Sequence, residues 1–340
     1  MDRSKIESQI RSGSEKGKKT YTFDEDHNPD QPADFWFQES QEGPVLFIVF
    51  YSQACRWSRC LGCNLPALMS ASHVPFDRAM NQVDFIIAHP DVQERAKTIR
   101  KVIVSNNGSV LDEATFSSTV LMYLLAKLNL TFPGLEVLTL ETRAEYVDFA
   151  ELEFLSRALK EGASETALEL AIGFEAFDEK IRNEVFDKGL SLPVFETLVK
   201  EVAPYGFRLK TYFMQKPVPG LSDEDAIRDI QMAIGYLADL VDSFKVPINM
   251  HLNPTYVARG TLLEKAFNQG EFIPPVLTDV ARAALSAKGS NLSLFIGLSD
   301  EGLAVPGGSF IRPGDGPLID TLESFNRSQD FRILEVILGE

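Results

Sequence analysis

Six short apolar runs, separated by stretches of helical period, limit the folds open to this chain. They are residues 45–51 (VLFIVFY), 102–105 (VIVS), 135–140 (LEVLTL), 167–172 (ALELAI), 208–214 (RLKTYFM) and 246–252 (VPINMHL). Runs that are apolar on both faces suit strands of a parallel sheet covered by helices. Between them, residues 113–128 and 223–241 read as helices. In the second of these Ile227, Ile230, Ile234, Leu237 and Val241 recur every three or four residues, and Ser222 with Asp225 makes a capping-box-like start. The pattern predicts an α/β fold. An open doubly wound sheet and a complete or partial (β/α) barrel both satisfy it, because periodicity does not separate them.

Outside this rhythm, residues 1–40 read as a polar leader, with 1–34 expected to be mobile. Residues 41–255 form the core domain and residues 256–340 a C-terminal extension. The extension holds a helix near 274–288, an apolar run 292–296, a Gly/Pro-rich loop (VPGGSFIRPGDG), a helix near 318–326 and a last apolar run 331–338. The 306–316 stretch of that loop reads as a plain connection, with a lid as the alternative. No repeat of fixed period is visible.

The 340 residues carry a net charge of −16, which argues against a broad, non-specific nucleic-acid surface. A local basic patch or a basic partner stays open. No apolar run approaches the roughly 20 residues of a spanning helix, and the first residues lack a signal-peptide core. The expectation is a cytoplasmic protein with no membrane association.

The chain has three cysteines, Cys55, Cys60 and Cys63, all on the loop after the first apolar run. An odd, tightly clustered set without an export signal is a poor disulfide framework. In α/β sheets and barrels the C-terminal ends of strands are where sites are built. Three thiolates on one loop suit three corners of a [4Fe–4S] cluster, and a missing fourth cysteine leaves one iron open to an outside ligand. Structural zinc is the rival, with His73 completing a Cys₃His set, but no second pair of ligands lies farther along the chain. Arg56 and Arg59 would favour the thiolate forms. Trp57, inside the loop, either shields a cluster or anchors the loop.

The cysteine loop, followed by repeated β/α units, resembles the radical S-adenosylmethionine (SAM) superfamily. That superfamily usually spaces its cysteines CxxxCxxC; here the spacing is C-x₄-C-x₂-C, and Gly62 stands where an aromatic residue is frequent. Further segments carry the likeness over about residues 45–275. These are 105–113 (SNNGSVLDE), Glu141-Thr142-Arg143, Ile172–Glu175 with Ile181-Arg182 and Asp187-Lys188-Gly189, residues 210–220, and Asn253-Pro254 with 259–262. Together they look most like the Elongator-catalytic-subunit-like branch and, within it, the archaeosine synthase radical SAM subunits that act in tRNA modification. The resemblance implies a partial (β/α)6 barrel with a C-terminal extension.

It also implies a [4Fe–4S] cluster on Cys55, Cys60 and Cys63, with SAM chelating the open iron through its amino and carboxylate groups. An electron donor such as flavodoxin or ferredoxin would then drive SAM cleavage to a 5′-deoxyadenosyl radical. Asn107, Gly108 and Ser109 are the expected SAM turn, with an ordinary Asn-Gly turn as the plain alternative. Glu141 and Glu175, at strand ends, are expected to meet the SAM ammonium or ribose; a salt bridge, for Glu141 with Arg143, is the alternative. Arg182 and Lys188 are candidates for the SAM carboxylate, or solvated helix charges. Lys210, Gln215 and Asn253 complete the expected cofactor-binding set. His251 reads as a core histidine. Substrate classes stay open: a tRNA base or modified nucleoside, reached through a partner subunit if the tRNA is bound there, or a small metabolite, lipid precursor or peptide. A non-catalytic iron–sulfur or zinc module is the alternative from another class.

Overall fold

A computed structural model describes residues 3–339. The elements run α1 (Arg3–Lys16), β1 (Asp34–Ser40), β2 (Gly43–Val49), α2 (Phe76–Ala88), α3 (Pro90–Arg95), β3 (Lys101–Ser105), α4 (Ser118–Thr131), β4 (Val137–Thr142), α5 (Phe149–Leu159) and β5 (Ala167–Glu175). Then follow a π-helical turn (Lys180–Val185), α6 (Leu192–Val202), β6 (Arg208–Gln215), α7 (Asp223–Phe244), β7 (Ile248–Pro254), α8 (Leu262–Asn268), α9 (Leu277–Leu285), β8 (Ser293–Ile296), α10 (Gly316–Ser328) and α11 (Arg332–Leu338). The eight strands succeed one another across a single sheet in chain order. β1 pairs antiparallel with β2, while β2 with β3, β3 with β4, β6 with β7 and β7 with β8 pair in parallel. This is a partial (β/α) barrel. Each of the six predicted strands is present, and 292–296 adds β8 at one edge.

By contacts the described chain divides into two compact units, residues 3–16, 22–58 and 65–171, and residues 17–21, 59–64 and 172–339. In the first unit, Val45, Phe47 and Val49 of β2 pack with Ile6 and Ile10 of α1 and with Ile103 of β3. Leu46, Ile48 and Phe50, on the strand's other face, are also buried, which is why the run is apolar without alternation. The segment read as a mobile leader thus begins with a helix seated on the core. Its stripe is only two isoleucines one turn apart in a polar sequence, too narrow for a periodicity count to register. β1 was also missed: Trp36 stacks on Phe47 with ring centroids 4.2 Å apart, and the hairpin covers the edge of β2.

α4 starts five residues later than its periodicity suggests. Glu113 accepts from the Ser118 backbone N–H at 2.5 Å and so caps the helix from outside it. In the second unit, α7 begins as expected, with Ser222 Oγ accepting from Asp225 N at 3.1 Å. The final apolar run, 331–338, forms helix α11.

Polar side chains are also built into the strands. In the first unit Lys101 Nζ lies 2.6 Å from Glu169 and 2.6 Å from Glu42, and Thr139 Oγ1 donates to Glu169 at 2.8 Å. In the second, Lys210 Nζ donates to Asn249 Oδ1 at 2.7 Å and Asn249 Nδ2 to Ser293 Oγ at 2.9 Å.

Candidate functional site

The cysteine loop follows β2 directly, and its cysteines are divided between the units: Cys55 in the first, Cys60 and Cys63 in the second. None of the three is in a disulfide and each is partly exposed. Beside Cys55 lies the turn after β3. Asn107 there takes φ +55°, a left-handed conformation that Asn tolerates better than most residues, and its N–H donates to Ser105 Oγ at 3.1 Å. Gly108 follows, and a Cβ on it would fall 3.1–3.3 Å from the Cα, Cβ and N of Cys55. A side chain here would press on the cysteine, and glycine lets the backbone lie against it without that strain. Ser109 is buried, with Oγ 2.5 Å from Thr142 Oγ1, and Val110 N donates to Glu141 O at 2.9 Å. The turn is therefore stitched to the end of β4, where the half-buried Glu141 sits.

Two arginines fix this half of the loop. Arg56 makes a two-pronged ion pair with the buried Asp112 at 2.6 Å per contact, its guanidinium 4.8 Å from the Tyr146 ring. Burial, reinforced by Asp112, pushes the Tyr146 hydroxyl up to about 12. Arg143 lies 4.5 Å over the Trp57 ring, with Nε donating to Glu145 at 2.5 Å. Trp57 is thus stacked against the residue that follows β4, a contact that suits either an anchor of the loop or a shield.

The second half is held by a different set of groups. Leu61 N donates to Phe186 O at 2.8 Å, Cys60 Sγ lies 3.8 Å from Asp187 O, and Arg59 pairs with Asp187 at 2.8 Å. A Cβ at Gly62 would meet only ordinary contacts with Leu263 and Phe186, 3.4 Å and beyond, so these side chains occupy the side where a larger residue would point. Lys19 Nζ donates to the carbonyls of Cys60 (2.5 Å), Leu61 (3.2 Å) and Cys63 (2.9 Å). Burial draws the Lys19 ammonium down, while the Cys63 and Cys60 thiols push it back up. Lys19 does not stand out in the sequence, being one lysine among the mixed charges of a polar leader, and Asp187 appears there only as part of the Asp187-Lys188-Gly189 segment.

The remaining expected residues fall into two groups. Glu175, at the end of β5 with φ +76°, is joined to Lys188 at 2.7 Å, and neither side chain is more than 14% exposed. A Cβ at Gly173 would fall against both. Arg182, by contrast, is wholly buried in the π-helical turn. Its Nε donates to Leu190 O at 2.7 Å, its Nη1 to Ala176 O at 3.0 Å and Phe177 O at 2.6 Å, and its guanidinium lies 4.8 Å from the Phe174 ring. Those bonds make it a clamp that shapes the segment under Asp187 and Lys188 rather than the solvated charge of the plain alternative, and its Nη2 is buried without a hydrogen-bond partner.

Lys210 is buried against Asn249, and its ammonium lies 5.5 Å from the Phe295 ring. Gln215 is fully buried, and neither Oε1 nor Nε2 has a hydrogen-bond partner; its carbonyl accepts from Thr255 N at 3.2 Å. An orphaned amide at a strand end fits a ligand-facing role. Asn253 is half-buried beside Gly297, where a Cβ would press on its Oδ1. His251 lies between the Tyr212 and Phe295 rings, at 5.0 and 4.7 Å, as a core histidine. The Gly/Pro-rich loop is pinned: Val257 N donates to Gly308 O at 2.8 Å, Val305 N to Val257 O at 2.9 Å, and Arg312 Nη2 to Pro274 O at 2.9 Å.

Among the described residues no three His, Cys, Asp or Glu side chains gather around a single-ion position, His73 included. A zinc ion needs four donors within about 2.0–2.3 Å of one centre, whereas a cubane spreads its thiolates over separate irons. Three thiols on one loop, with a glycine turn lying on the first of them, are a donor set of the kind a cluster uses.

The fold is a partial (β/α) barrel with the three-cysteine loop after its first parallel strand. No family model matches the chain. It is 23% identical over 319 residues to an uncharacterized protein of Methanocaldococcus jannaschii, covering 90% of this chain and 84% of that one. It is 27% identical over 254 residues to archaeosine synthase subunit beta of Methanosarcina acetivorans, covering 74% of this chain and 68% of that one. The solved structure of Elp3 from Methanocaldococcus infernus shares the fold, with a TM-score of 0.50 and 16% identity over 74% of this chain; this chain spans 58% of it. The chain is thus similar in sequence to archaeosine synthase subunit beta and in fold to Elp3.

Proposed function

We propose that this chain is a radical SAM enzyme acting on a tRNA base or modified nucleoside, together with a partner subunit. The observation that carries the chemistry is the three-cysteine loop after the first parallel strand, with the Gly108 turn against Cys55. On this reading Cys55, Cys60 and Cys63 hold a [4Fe–4S] cluster, and SAM completes it at the open iron. When bound, that pair supplies a 5′-deoxyadenosyl radical able to take a hydrogen atom from substrate.

The protein's part is to position and to exclude. The Asn107–Ser109 turn offers backbone and hydroxyl groups to the SAM methionine end. The Glu175–Lys188 pair offers one charge to each of the SAM ammonium and carboxylate. Lys210, Gln215 and Asn253, with Glu141, are proposed to line the ligand side of their strands, Gln215 supplying both a donor and an acceptor. Arg182 clamps the segment beneath that pair, and its unpartnered Nη2 is the one group it has left for the SAM carboxylate. Residues 41–255 carry these groups as the core.

The tRNA assignment is supported by the named archaeosine synthase relative, and with a net charge of −16 RNA would be held through a local basic patch or a basic partner. The same charge favours a second reading, a small-metabolite or peptide substrate. No described helix is long and apolar enough to cross a membrane. Anaerobically reconstituted protein, reduced and given SAM, should release 5′-deoxyadenosine; no SAM cleavage with any candidate substrate would leave a non-catalytic cluster module. Filter binding of bulk tRNA at low salt, with and without the partner, separates the two substrate readings.

A further inference from the structure

The segment Gly17–Tyr21 is grouped by contacts with Arg59–Asn64, although about 40 residues of chain lie between them. It is a strap, and it is tied down at several points. A Cβ on Gly17 would fall 2.9 Å from Arg59 O, so glycine is needed for the approach. Thr20 N donates to Gly260 O at 3.0 Å, and Gly260, at φ +74°, leaves just enough room for Tyr21. Between these ties, Lys19 Nζ meets the carbonyls of Cys60, Leu61 and Cys63.

Three acceptors match the three N–H bonds of an ammonium. Carbonyls of one short turn repel one another when they converge, and a cation at their focus removes that repulsion. The bond that closes the turn on itself is a longer one, Cys63 N to Cys60 O at 3.2 Å.

We propose that Lys19 is a positioning residue that holds the Cys60–Cys63 turn in its ligand-ready form, and that its charge favours the reduced state of a cluster bound there. The second clause rests on the cluster assignment above; the first does not. A fixed positive charge beside an anionic centre stabilises the state with the extra electron. A flexible loop, by contrast, would have to be ordered when the cluster binds.

The test uses the full chain as Lys19→Met, Lys19→Arg and, as control, Lys18→Met, since Lys18 is exposed. In apo-protein, hydrogen exchange at the Leu61 and Cys63 amides should quicken at least tenfold in Lys19→Met and much less in Lys19→Arg. Exchange in β2 should stay unchanged, which shows that the variant is folded. In reconstituted protein, Lys19→Met should lose iron to a chelator several-fold faster and show a more negative midpoint potential. Wild-type exchange in Lys19→Met would overturn the positioning role whether or not the loop binds a cluster. An unchanged potential with quickened exchange would overturn the electrostatic role alone. If Lys19→Met does not fold, Lys19→Gln with the same exchange readout replaces it.

Discussion

Arg59 and Asp187, 128 residues apart in sequence, meet with Nη2 2.8 Å from Oδ1. Asp187 holds φ +60° and also offers its carbonyl to Cys60 Sγ, while Phe186 beside it takes the Leu61 N–H. The segment clamped by Arg182 is therefore the seat of the second half of the cysteine loop.

The pair is partly exposed, so its contribution to global stability is small, about 1 kcal/mol or less. Its effect on the loop is local. Asp187→Asn keeps an acceptor and tolerates the left-handed backbone; Asp187→Ala does neither. Iron retained after chelator challenge should fall clearly in the alanine variant and little in the asparagine one, with melting temperatures within a few degrees of each other. Equal retention in both would show that the seat does not depend on this contact.

Gly108 and Gly62 flank the loop differently. The Cβ that Gly108→Ala adds meets the backbone of Cys55 at 3.1–3.3 Å, and backbone cannot step aside as a flexible side chain does. Gly62→Ala adds one in ordinary contact range of Leu263 and Phe186. Reconstituted iron per chain should drop by more than half in Gly108→Ala and stay near wild type in Gly62→Ala. The reverse order would place the tight approach elsewhere.

The sequence made the β/α rhythm legible because strands such as β2 are buried on both faces, and the cysteine loop because three thiols cluster there. Two things were hidden. Arg182 reads as a helix-surface cation, and only the π-helical turn, which no periodicity encodes, folds its guanidinium onto carbonyls. Lys19 reads as one of several basic residues in a leader, and its meeting with Cys60 depends on tertiary docking across roughly 40 residues of chain. Pairings of that range leave no local pattern.

Lys101 and Glu169 form a buried pair, with side chains 3% and 0% exposed. Removing one partner strands a charge in the interior, at a typical loss of about 3–5 kcal/mol. Lys101→Met should therefore lower the urea midpoint strongly. Replacing both, as Lys101→Met with Glu169→Leu, should recover much of the loss, less the hydrogen bonds from Thr139 and to Glu42. A double variant no more stable than the single one would show that packing, rather than charge, dominates there.

Asp229 supplies the pH test. It sits on α7, is 7% exposed, and accepts from Phe177 N at 2.9 Å and Asp178 N at 2.7 Å, at the head of the π-helical turn. Burial raises its pKa, and the two backbone N–H groups and Arg182 only partly offset this. A carboxyl whose folded value lies above its unfolded one is held more tightly as the acid by the folded chain. Its contribution to stability is complete below the ordinary carboxylate range and is lost as pH rises through the raised folded value. Asp229→Asn carries no such proton. Compared by urea midpoint, the stability of wild type relative to Asp229→Asn should therefore grow as pH falls from neutrality into the acid range. A relative stability that is flat with pH, or that shrinks toward acid, would mean that the N–H groups outweigh burial and hold the carboxylate ionised.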